Sequence, residues 1–421
     1  MLKQSFLPRI HKKHTLALLL AVLFVGCTAC APQNATLPNA DAAQPTAPPQ
    51  AEEIRAVWLS YYELEQPKGA TEAQFRARYA EVFSRIKAFG LRTVFVHVRP
   101  FCDAIYPSAL FPWSAVLTGT QGEDPGYDPL AVLLELARRE GLGLHGWINP
   151  FRIAKSADTA KLAAGHPALA HILAKDGWVR EAGGRLYWNP AVPETHALIY
   201  AGVRELLTGY PDLAGIHIDD YFYPTADAAF DAAEYARYRA LGGAMELGDW
   251  RRGLVSEFVA GMYRAAKRAR PGAVFSISPS AVIEKDYGEM FADVERWVRE
   301  PGYADWIIPQ VYFGFEHYKY PFGAVARRWA ALAEEADSAV RLLFGLAAYK
   351  CGQPDVYAGT GKGEWVAARD ILARQLECVR ALPRCAGFSV YSYEGLLGDG
   401  VENIVIQNRK KLQILLENVK K

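Results

Sequence analysis

From residue 53 onward, the sequence alternates short runs of β-branched and aromatic residues with longer amphipathic stretches, and the alternation repeats eight times. The short runs predict strands and the amphipathic stretches predict helices. The predicted strands are 56–62, 93–100, 143–150, 215–223, 274–280, 306–313, 341–349 and 387–393. This order predicts an α/β fold, and eight such units fit a (β/α)8 TIM barrel with enlarged βα loops. A two-lobed doubly wound protein is the alternative, but it needs a second wide break in the pattern, which the sequence lacks.

Two of the predicted helices carry start and stop signals. Thr71 begins a capping box and Gly90 fits the end of the same helix. Asp128, which is followed by proline, fits an N-cap, and Gly141 fits the end of that helix.

The alternation within the strands predicts which side chains enter the barrel. Val94, Val96 and Val98 form an apolar outward set, and polar or aromatic residues occupy the positions between them. The residues expected to point inward are Phe95, His97, Arg99, His145, Trp147, Asn149, His217, Asp219, Gln310 and Tyr312. The polar members gather toward the C-terminal strand ends, where TIM barrels carry their functional sites.

The N-terminus has the layout of a secretory signal. Residues 1–26 contain four basic residues and no acidic one, and the uncharged, mostly apolar run 15–25 follows the basic stretch. The sequence FVGC at 24–27 resembles a bacterial lipobox, which predicts a lipoprotein signal peptide over 1–26 and lipidation of Cys27, although Phe24 replaces the usual leucine. Attachment at Cys30, simple secretion and an uncleaved anchor are the alternatives. Except for the uncleaved anchor, for which the apolar run is short, these readings export the domain, so we expect an exported protein that is lipid-anchored in the cell envelope.

The region after Cys27 changes composition. Residues 27–52 are rich in proline and alanine and have few charges, which predicts a disordered tether. Residues 53–400 read as one glycosidase-like barrel, and 401–421 as a closing C-terminal helix.

Composition and charge narrow the function. The chain is 51% hydrophobic, and its 47 basic and 46 acidic residues leave a net charge of +1. Removing residues 1–26 leaves 43 basic against 46 acidic residues, a net charge of −3. Such a chain has no basic footprint for nucleic acid. We expect a monomer that contacts the membrane only through the N-terminal lipid and uses no cofactor and no metal.

Four cysteines remain in the predicted barrel. Export favours pairing, and the short separation of Cys378 and Cys385 favours a bridge between them, which leaves Cys102 with Cys351. Four unpaired buried thiols are the alternative. Their spacing does not fit a zinc site.

Carboxylates at the strand ends are the candidate catalytic groups. Asp219 and Asp220 end the fourth predicted strand, and Glu394 ends the eighth. Crowded carboxyl groups in a cleft of low dielectric separate in pKa, so one can keep a proton for a leaving group. A structural role for Asp219, paired with Arg99 or capping a loop, is the alternative, and Glu63 is expected to be exposed.

Aromatic residues gather at the same ends, and rings with polar edges suit sugar faces. Each ring alone is more often core than platform, but the set favours a carbohydrate cleft. The candidate substrate-binding residues are Trp58, His97, Arg99, Trp147, Asn149, His217, Tyr221, Gln310, Tyr312 and Tyr393.

Several segments resemble the bacterial glycosyl-hydrolase-like family 10. They are IRAVWL at 54–59, FVHVRP at 95–100, HGWINP at 145–150, WNP at 188–190, GIHIDDY at 215–221 and IPQVY at 308–312. The resemblance implies a (β/α)8 glycoside hydrolase, often exported as a lipoprotein, with members that act on peptidoglycan strands. A polysaccharide containing N-acetyl sugars is therefore the expected substrate.

Two mechanisms fit these residues. In the first, Asp219 and Asp220 cooperate with the substrate's own N-acetyl group, as in substrate-assisted glycosidases. In the second, one of them works against a facing carboxylate, for which Glu394 is the candidate.

Two other functions compete with glycoside hydrolysis. A metal-dependent hydrolase would use His97, His145, His217 and Asp219, but the first strand lacks the His-x-His pair that such barrels use. A non-catalytic carbohydrate-binding envelope lipoprotein would use the same aromatic rim.

Overall fold

The structure is a computed structural model that describes residues 52–418. The expected signal peptide (1–26), the lipidation site Cys27 and nearly all of the tether lie outside the described residues. Across 52–418 the chain folds around a closed barrel.

Eight parallel strands form the barrel, in the order β1-β11-β10-β9-β8-β7-β3-β2. Across the described residues the strands are β1 (Ile54–Leu59), β2 (Thr93–Arg99), β3 (Gly143–Ile148), β4 (Arg152–Ala154), β5 (Val179–Ala182), β6 (Arg185–Trp188), β7 (Gly215–Ile218), β8 (Val274–Ile277), β9 (Trp306–Ile307), β10 (Arg341–Ala347) and β11 (Cys385–Tyr391). Each of the eight predicted runs supplies one barrel strand, which confirms the TIM-barrel prediction. Several runs extend past the ladder, because their last residues turn into the mouth of the barrel.

Strands β4, β6 and β5 form a separate three-stranded antiparallel sheet in the loop after β3. The sequence analysis did not predict this sheet. Its strands have only three or four residues, which is too short for a period of two to stand out. It is the enlarged part of the third βα loop, and it contributes to the mouth of the barrel.

Helices surround the barrel and fill the loops at its mouth. Across residues 52–418 the α-helices are α1 (Tyr61–Leu64), α2 (Glu72–Phe89), α3 (Ala115–Thr118), α4 (Pro129–Glu140), α5 (Ala168–Ala174), α6 (Pro193–Gly209), α7 (Ala232–Ala240), α8 (Leu247–Ala269), α9 (Ile283–Glu289), α10 (Val294–Arg299), α11 (Phe322–Glu335), α12 (Glu364–Ala367), α13 (Ile371–Arg380), α14 (Tyr393–Leu397) and α15 (Asn403–Asn418). Short 3-10 helices cover Thr159–Lys161, Ala348–Lys350 and Gly359–Gly363.

The predicted caps form as the sequence indicates. The Thr71 side chain accepts a hydrogen bond from the backbone N–H of Gln74, and Gly90 ends α2 with a left-handed φ of 98°. Asp128 caps α4 in the same way, and Gly141 ends it with a φ of 68°. These local signals fix where the helices begin and end, and so set the loop lengths around the barrel.

Helix α15 closes the ring where its two ends meet. The carbonyl oxygen of Leu416 accepts a hydrogen bond of 3.1 Å from Arg55 of β1, and that of Leu415 accepts one of 3.3 Å from Arg380 of α13. The buried Leu412 lies on the same helix. This C-terminal helix therefore joins the first barrel strand to the helix that precedes the last one.

The barrel has an apolar interior that is separate from the core under the helices. The inner cluster consists of Ile54, Ala56, Trp58, Phe95, Trp147, Ile308 and Leu343. Val94, Val96 and Val98 belong to the outer core instead. The predicted alternation therefore holds along most of β2.

Arg99 is the exception to this alternation, and its inward prediction is wrong. The β2–β3 ladder shifts register between His97 and Arg99, which turns the Arg99 side chain away from the mouth. Its guanidinium lies 4.4 Å from the ring centre of Phe111, and it fills the space that a Cβ on Gly202 of α6 would need. Arg99 therefore packs between the barrel and its helices, and it does not bind Asp219.

The two expected disulfides do not form. Cys102, Cys351, Cys378 and Cys385 are free thiols. Cys102 follows β2 and Cys351 follows β10, and both β1 and β11 separate those strands in the barrel. Cys378 lies on α13, whereas Cys385 begins β11 and places its sulfur 3.6 Å from the carbonyl oxygen of Gly387. The alternative is correct in that all four thiols are unpaired, but only Cys102 and Cys351 are buried. Burial raises the pKa of Cys102 to about 12.

Among the helices of residues 52–418, none is both long enough and apolar enough to cross a lipid bilayer.

Gly215 provides a test of the barrel packing. A Cβ at this position would overlap the carbonyl oxygen of Val274 and come within 2.9 Å of Nδ1 of His145. We expect Gly215→Ala to lower the free energy of unfolding by about 1–3 kcal/mol, because β7 and β8 must separate to admit the methyl group. Urea unfolding followed by circular dichroism measures this change.

Gly253 is the matched control. It lies inside α8, and a Cβ there meets no atom within 4 Å. Gly253→Ala should stabilise the protein by about 0.5–1 kcal/mol, because alanine favours the helix. Equal effects of the two substitutions would contradict the packing described here.

Candidate functional site

A cavity of about 350 Å³ opens at the mouth of the barrel. All eight barrel strands, or the loops directly after them, contribute to it. It is lined by Trp58, Ser60, Tyr61, Tyr62, His97, Trp147, Arg152, Arg185, Asp219, Asp220, Tyr221, Ser278, Gln310, Tyr312, Tyr349 and Tyr391. We call this cavity the cleft. It lies at the C-terminal strand ends, where TIM barrels carry their functional sites.

Two neighbouring carboxyl groups lie in the cleft. Asp219 follows β7 directly, is only 6% exposed, and its Oδ1 has no hydrogen-bond partner in the described part of the chain. Burial raises the pKa of Asp219 well above its usual value, and the charge of Asp220 raises it further. Burial thus favours the protonated form of this carboxyl group over its charged form.

Asp220 is also shifted, but more groups oppose the shift. Burial raises its pKa, while the positive charges of Lys285 and Arg152 and the side chain of Gln310 lower it. Since the two acids interact, they titrate as a pair rather than singly. The pair can therefore hold a negative charge and a proton at once.

A third carboxyl group, Asp286 of α9, lies behind this pair. It is fully buried, and neither of its oxygens has a hydrogen-bond partner within residues 52–418. Burial and the charge of Asp220 both raise the pKa of Asp286 well above its usual value. A negative charge on Asp220 therefore makes ionisation of Asp286 less favourable.

A chain of hydrogen bonds fixes the indole ring of Trp58, which lines the cleft together with the acids. Nε1 of Trp58 donates to Nε2 of His217 over 2.9 Å, and Nδ1 of His217 lies 2.8 Å from the hydroxyl of Ser276. Since Nε2 accepts, Nδ1 carries the proton. Burial lowers the pKa of His217 well below its usual value, so the ring stays neutral. Trp58 thus presents a fixed indole ring to the cleft.

Aromatic rings form the walls of the cleft. His97 stacks on Trp147 with ring centres 3.7 Å apart, and Tyr312 stacks on Tyr391 at 5.9 Å. Tyr221 remains 45% exposed at the rim. Such surfaces match the apolar faces of sugar rings.

Eight of the residues predicted from the sequence meet in the cleft. They are Trp58, His97, Trp147, Asp219, Asp220, Tyr221, Gln310 and Tyr312. Two further candidates lie below or beside it. His217 is buried under Trp58, and Asn149 is buried with its amide donating to the carbonyl oxygen of Pro100 over 3.1 Å. Arg99 faces the helices, as described above.

Tyr393 and Glu394 do not reach the cleft, contrary to expectation. Strand β11 ends at Tyr391, and α14 begins at Tyr393, so the period of two no longer applies to these side chains. Both line a smaller cavity of about 130 Å³ beside α2. Glu394 is exposed there and does not face Asp219 across the cleft.

Glu63 is buried rather than exposed, contrary to expectation. It accepts hydrogen bonds from the Ser60 backbone at 2.5 Å, the Ser392 hydroxyl at 2.6 Å and the Glu394 backbone at 2.7 Å. It therefore joins the loops after β1 and β11.

Two cationic residues of the cleft were missed by the sequence analysis. Arg152 and Arg185 belong to the small sheet of β4 and β6, which was not predicted. Arg152 comes four residues after the end of β3, and this closeness to a C-terminal strand end was the only sequence signal that could have indicated it.

The residues considered for a metal site are separated by packing. His97 stacks on Trp147, and His217 is bonded to Trp58. His145 packs lower in the barrel, with its ring centre 5.0 Å from that of Trp306, and burial lowers its pKa to about 3. In residues 52–418 no group of three or more His, Cys, Asp or Glu side chains has the arrangement of a metal site.

A family model matches this architecture. The model described as glycosyl hydrolase-like 10 matches residues 53–360, which is most of the chain. The chain belongs to this family. The match includes β1 to β10 and both Asp219 and Asp220.

Two curated relatives carry related names. Glycosyl hydrolase YngK of Bacillus subtilis is 34% identical over 350 residues, which is 78% of this chain and 67% of that protein. Glycosyl hydrolase DigH of Escherichia coli K12 is 30% identical over 403 residues, which is 87% of this chain and 89% of that protein.

A solved structure supports the fold alone. The catalytic domain of β-amylase from Paenibacillus polymyxa is similar with a TM-score of 0.53 at 12% identity, over 87% of this chain and 99% of that chain.

The raised pKa of Asp219 predicts how stability depends on pH. The folded protein binds this proton more tightly than the unfolded chain, whose aspartates titrate near about 4. Stability should therefore fall as the pH rises from about 4 toward the raised folded pKa. Asp219→Asn removes this loss. The free energy of unfolding of the variant minus that of the wild type, measured by urea unfolding, should therefore be larger at pH 7 than at pH 4.

Asp212→Asn is the control, because this aspartate is exposed and only approaches Arg138 at 4.0 Å. The difference in free energy of unfolding between Asp212→Asn and wild type should stay the same from pH 4 to pH 7. A difference between Asp219→Asn and wild type that stays constant with pH would contradict the buried acid.

Proposed function

We propose that the protein is a glycoside hydrolase that cleaves the glycosidic bonds of a glycan containing N-acetyl sugars, namely peptidoglycan strands. The observation that carries this proposal is the coupled pair Asp219–Asp220 in an aromatic cleft. Membership of the glycosyl hydrolase-like family supports hydrolysis, and the names of both relatives agree with it.

The carboxyl pair suits proton donation. Two adjacent acids in a desolvated cleft resist losing both protons, so the raised pKa values favour a pair that keeps one proton. That proton can pass to the oxygen of the leaving sugar as its bond to the anomeric carbon breaks. Donation by a positioned acid contributes about 10²–10⁴-fold to a rate.

The lining of the cleft favours the substrate-assisted mechanism. Within the described residues, Asp219 and Asp220 are the only acids that line it, and Glu394 lies elsewhere. A direct double displacement uses a second carboxylate about 5–5.5 Å from the first, on the other side of the scissile bond. Among the residues that line the cleft within 52–418, no further carboxylate faces the pair, so the substrate's own acetamide is the nucleophile that remains.

In this mechanism the acetamide oxygen forms a bond to the anomeric carbon while the leaving oxygen takes the proton. The acetamide nitrogen becomes positively charged as its proton remains, and the ionised member of the pair stabilises it. Water then adds to the anomeric carbon and breaks the bond to the acetamide oxygen, while its proton returns to the pair. The anomeric configuration is retained.

Asp220→Asn should lower the rate of reducing-end release from glycan strands by at least about 10²-fold, because the pair can no longer both donate a proton and hold a charge. Binding of the same strands should persist, since the aromatic walls are unchanged. Reducing-end assays and binding measurements on one preparation separate the two effects.

Glu394→Gln is the matched control, because its carboxylate lies in the other cavity. It should retain wild-type rates. Glycan binding by the wild type without any release of sugar would favour the alternative function, a carbohydrate-binding envelope protein that does not cut. Loss of activity in Glu394→Gln would restore the second mechanism.

We also propose that the protein is exported and held in the cell envelope by a lipid on Cys27. The basic and apolar order of residues 1–26 and the FVGC segment support this proposal. The partner is then the polysaccharide, and the membrane is met only through the N-terminal lipid. The barrel acts as a monomer.

Cys27→Ser should abolish incorporation of labelled palmitate in bacterial cells that express the chain. Lipid attachment requires the thiol, which serine lacks. Cys30→Ser is the control and should keep the label. Retention of the label in Cys27→Ser together with its loss in Cys30→Ser would move the attachment site to Cys30.

A further inference from the structure

Three cations lie on one side of the cleft. Arg152 and Arg185 line it, and Lys155 lies beside it with its ammonium 5.0 Å from the ring centre of Tyr61. All three belong to the loop that follows β3 and contains the small sheet. No residue of this group has a role in the mechanism above.

Arg152 is buried without a partner. It is 9% exposed, and its guanidinium lies between the rings of Phe101 and Tyr221, at 4.7 and 4.5 Å from their centres. Within residues 52–418 it makes no side-chain hydrogen bond and has no carboxylate within 4.0 Å. Cation–π contacts with the two rings hold the guanidinium in place, and its N–H groups make no hydrogen bond within residues 52–418.

Arg251 shows how this chain neutralises a buried arginine elsewhere. Its side chain is fully buried, and it donates hydrogen bonds to Asp231 at 2.5 and 2.9 Å and to the carbonyl oxygens of Ala226 and Asp227. Burying a cation without such partners is costly. Arg152 differs from Arg251 in that it lines the open cleft, so a group of the substrate can reach its N–H groups.

Arg185 and Lys155 extend the positive charge outward. Both are exposed, and neither forms an ion pair in the described part of the chain. Asp103 is the acid whose charge interacts with Lys155, but it is buried and bonded to Gln121 over 3.1 Å, and burial raises its pKa to about 6. Arg185 and Lys155 therefore keep a positive charge on this side of the cleft that no ion pair within residues 52–418 neutralises.

We propose that Arg152 and Arg185, with Lys155 at the rim, form a subsite for a carboxylate carried by a sugar ring of the glycan. This inference rests on the proposed function and names its substrate class, an acidic saccharide such as one containing N-acetylmuramic acid. The planar guanidinium of Arg152 suits the two oxygens of a carboxylate. A doubly charged phosphate fits less well, because the acids of β7 lie in the same cleft.

Calorimetric titration of the full-length chain carrying Asp220→Asn tests the subsite without turnover. The ligands are the disaccharide of N-acetylglucosamine and N-acetylmuramic acid and the same disaccharide with its carboxylate as the methyl ester. We expect the acid to bind at least about tenfold more tightly than the ester. Raising the salt concentration from about 0.05 to about 0.5 M should weaken binding of the acid and leave binding of the ester unchanged, because salt screens exposed charges.

Substitutions then assign the effect to residues. Arg152→Gln should reduce the preference for the acid to less than about twofold, and Arg152→Lys should restore part of it. Arg185→Gln and Lys155→Gln should each reduce it by a smaller factor, and they provide the test if Arg152→Gln does not fold. Arg180→Gln is the matched control, because Arg180 lies on the same sheet but bonds to Glu234.

Each outcome decides the proposal. Equal binding of acid and ester overturns the carboxylate subsite and leaves the proposed hydrolase intact. A preference that survives in all three subsite variants also overturns it. Tighter binding of a sulfated N-acetylglucosamine disaccharide than of the acid would assign the subsite to another anion. If neither saccharide binds while the chain is folded, the subsite and the proposed function both fail.

Discussion

Closure of the barrel between β1 and β11 is the constraint on which the rest of the structure depends. The parallel ladder from Ile54 with Gly387 to Val57 with Val390 joins the two ends of the fold. Glu63 supports the same junction, because its buried carboxyl group binds Ser392 and the backbone of Glu394. Since every barrel strand runs in one direction, closure brings all their C-terminal ends to one rim. Residues more than 300 positions apart in the sequence thereby face one cavity.

The interior of the barrel sets the chemistry of that cavity. Phe95 and Leu343 exclude water from below, and the neutral His217 satisfies the indole of Trp58 without adding charge. The acids at the end of β7 therefore border an apolar layer rather than solvent. Desolvation, more than the repulsion between them, raises the pKa of Asp219. The raised pKa of Asp219 is thus a consequence of how the barrel is filled.

The sequence predicted the fold and about half of the site because both depend on a period of two along the strands. Trp58, His97 and Asp219 follow that period to the end of the ladder and enter the cleft. The prediction of which side chains enter the cleft failed where the alternation of inward and outward positions stops. Arg99 lies beyond a register shift, and Glu394 lies on a helix that begins two residues after β11. These breaks depend on neighbouring strands, which a single sequence does not reveal.

Two arginines were missed for a different reason. The small sheet has strands of three or four residues, and Arg152 and Arg185 come together only when β4 pairs with β6. The disulfide prediction failed similarly, because spacing along the chain did not reveal that β1 and β11 separate the strands preceding Cys102 and Cys351. Long-range pairing, rather than local pattern, decided these positions.

The small sheet also separates two tasks along the chain. The acids stand on a barrel strand that its neighbours hold on both sides, whereas the cations stand on an insertion outside the barrel ladder. A change in residues 152–188 can therefore alter the cationic side of the cleft without rebuilding the strand that carries the acids. Related chains would then differ in this insertion while they inherit the same barrel strand and its carboxyl groups.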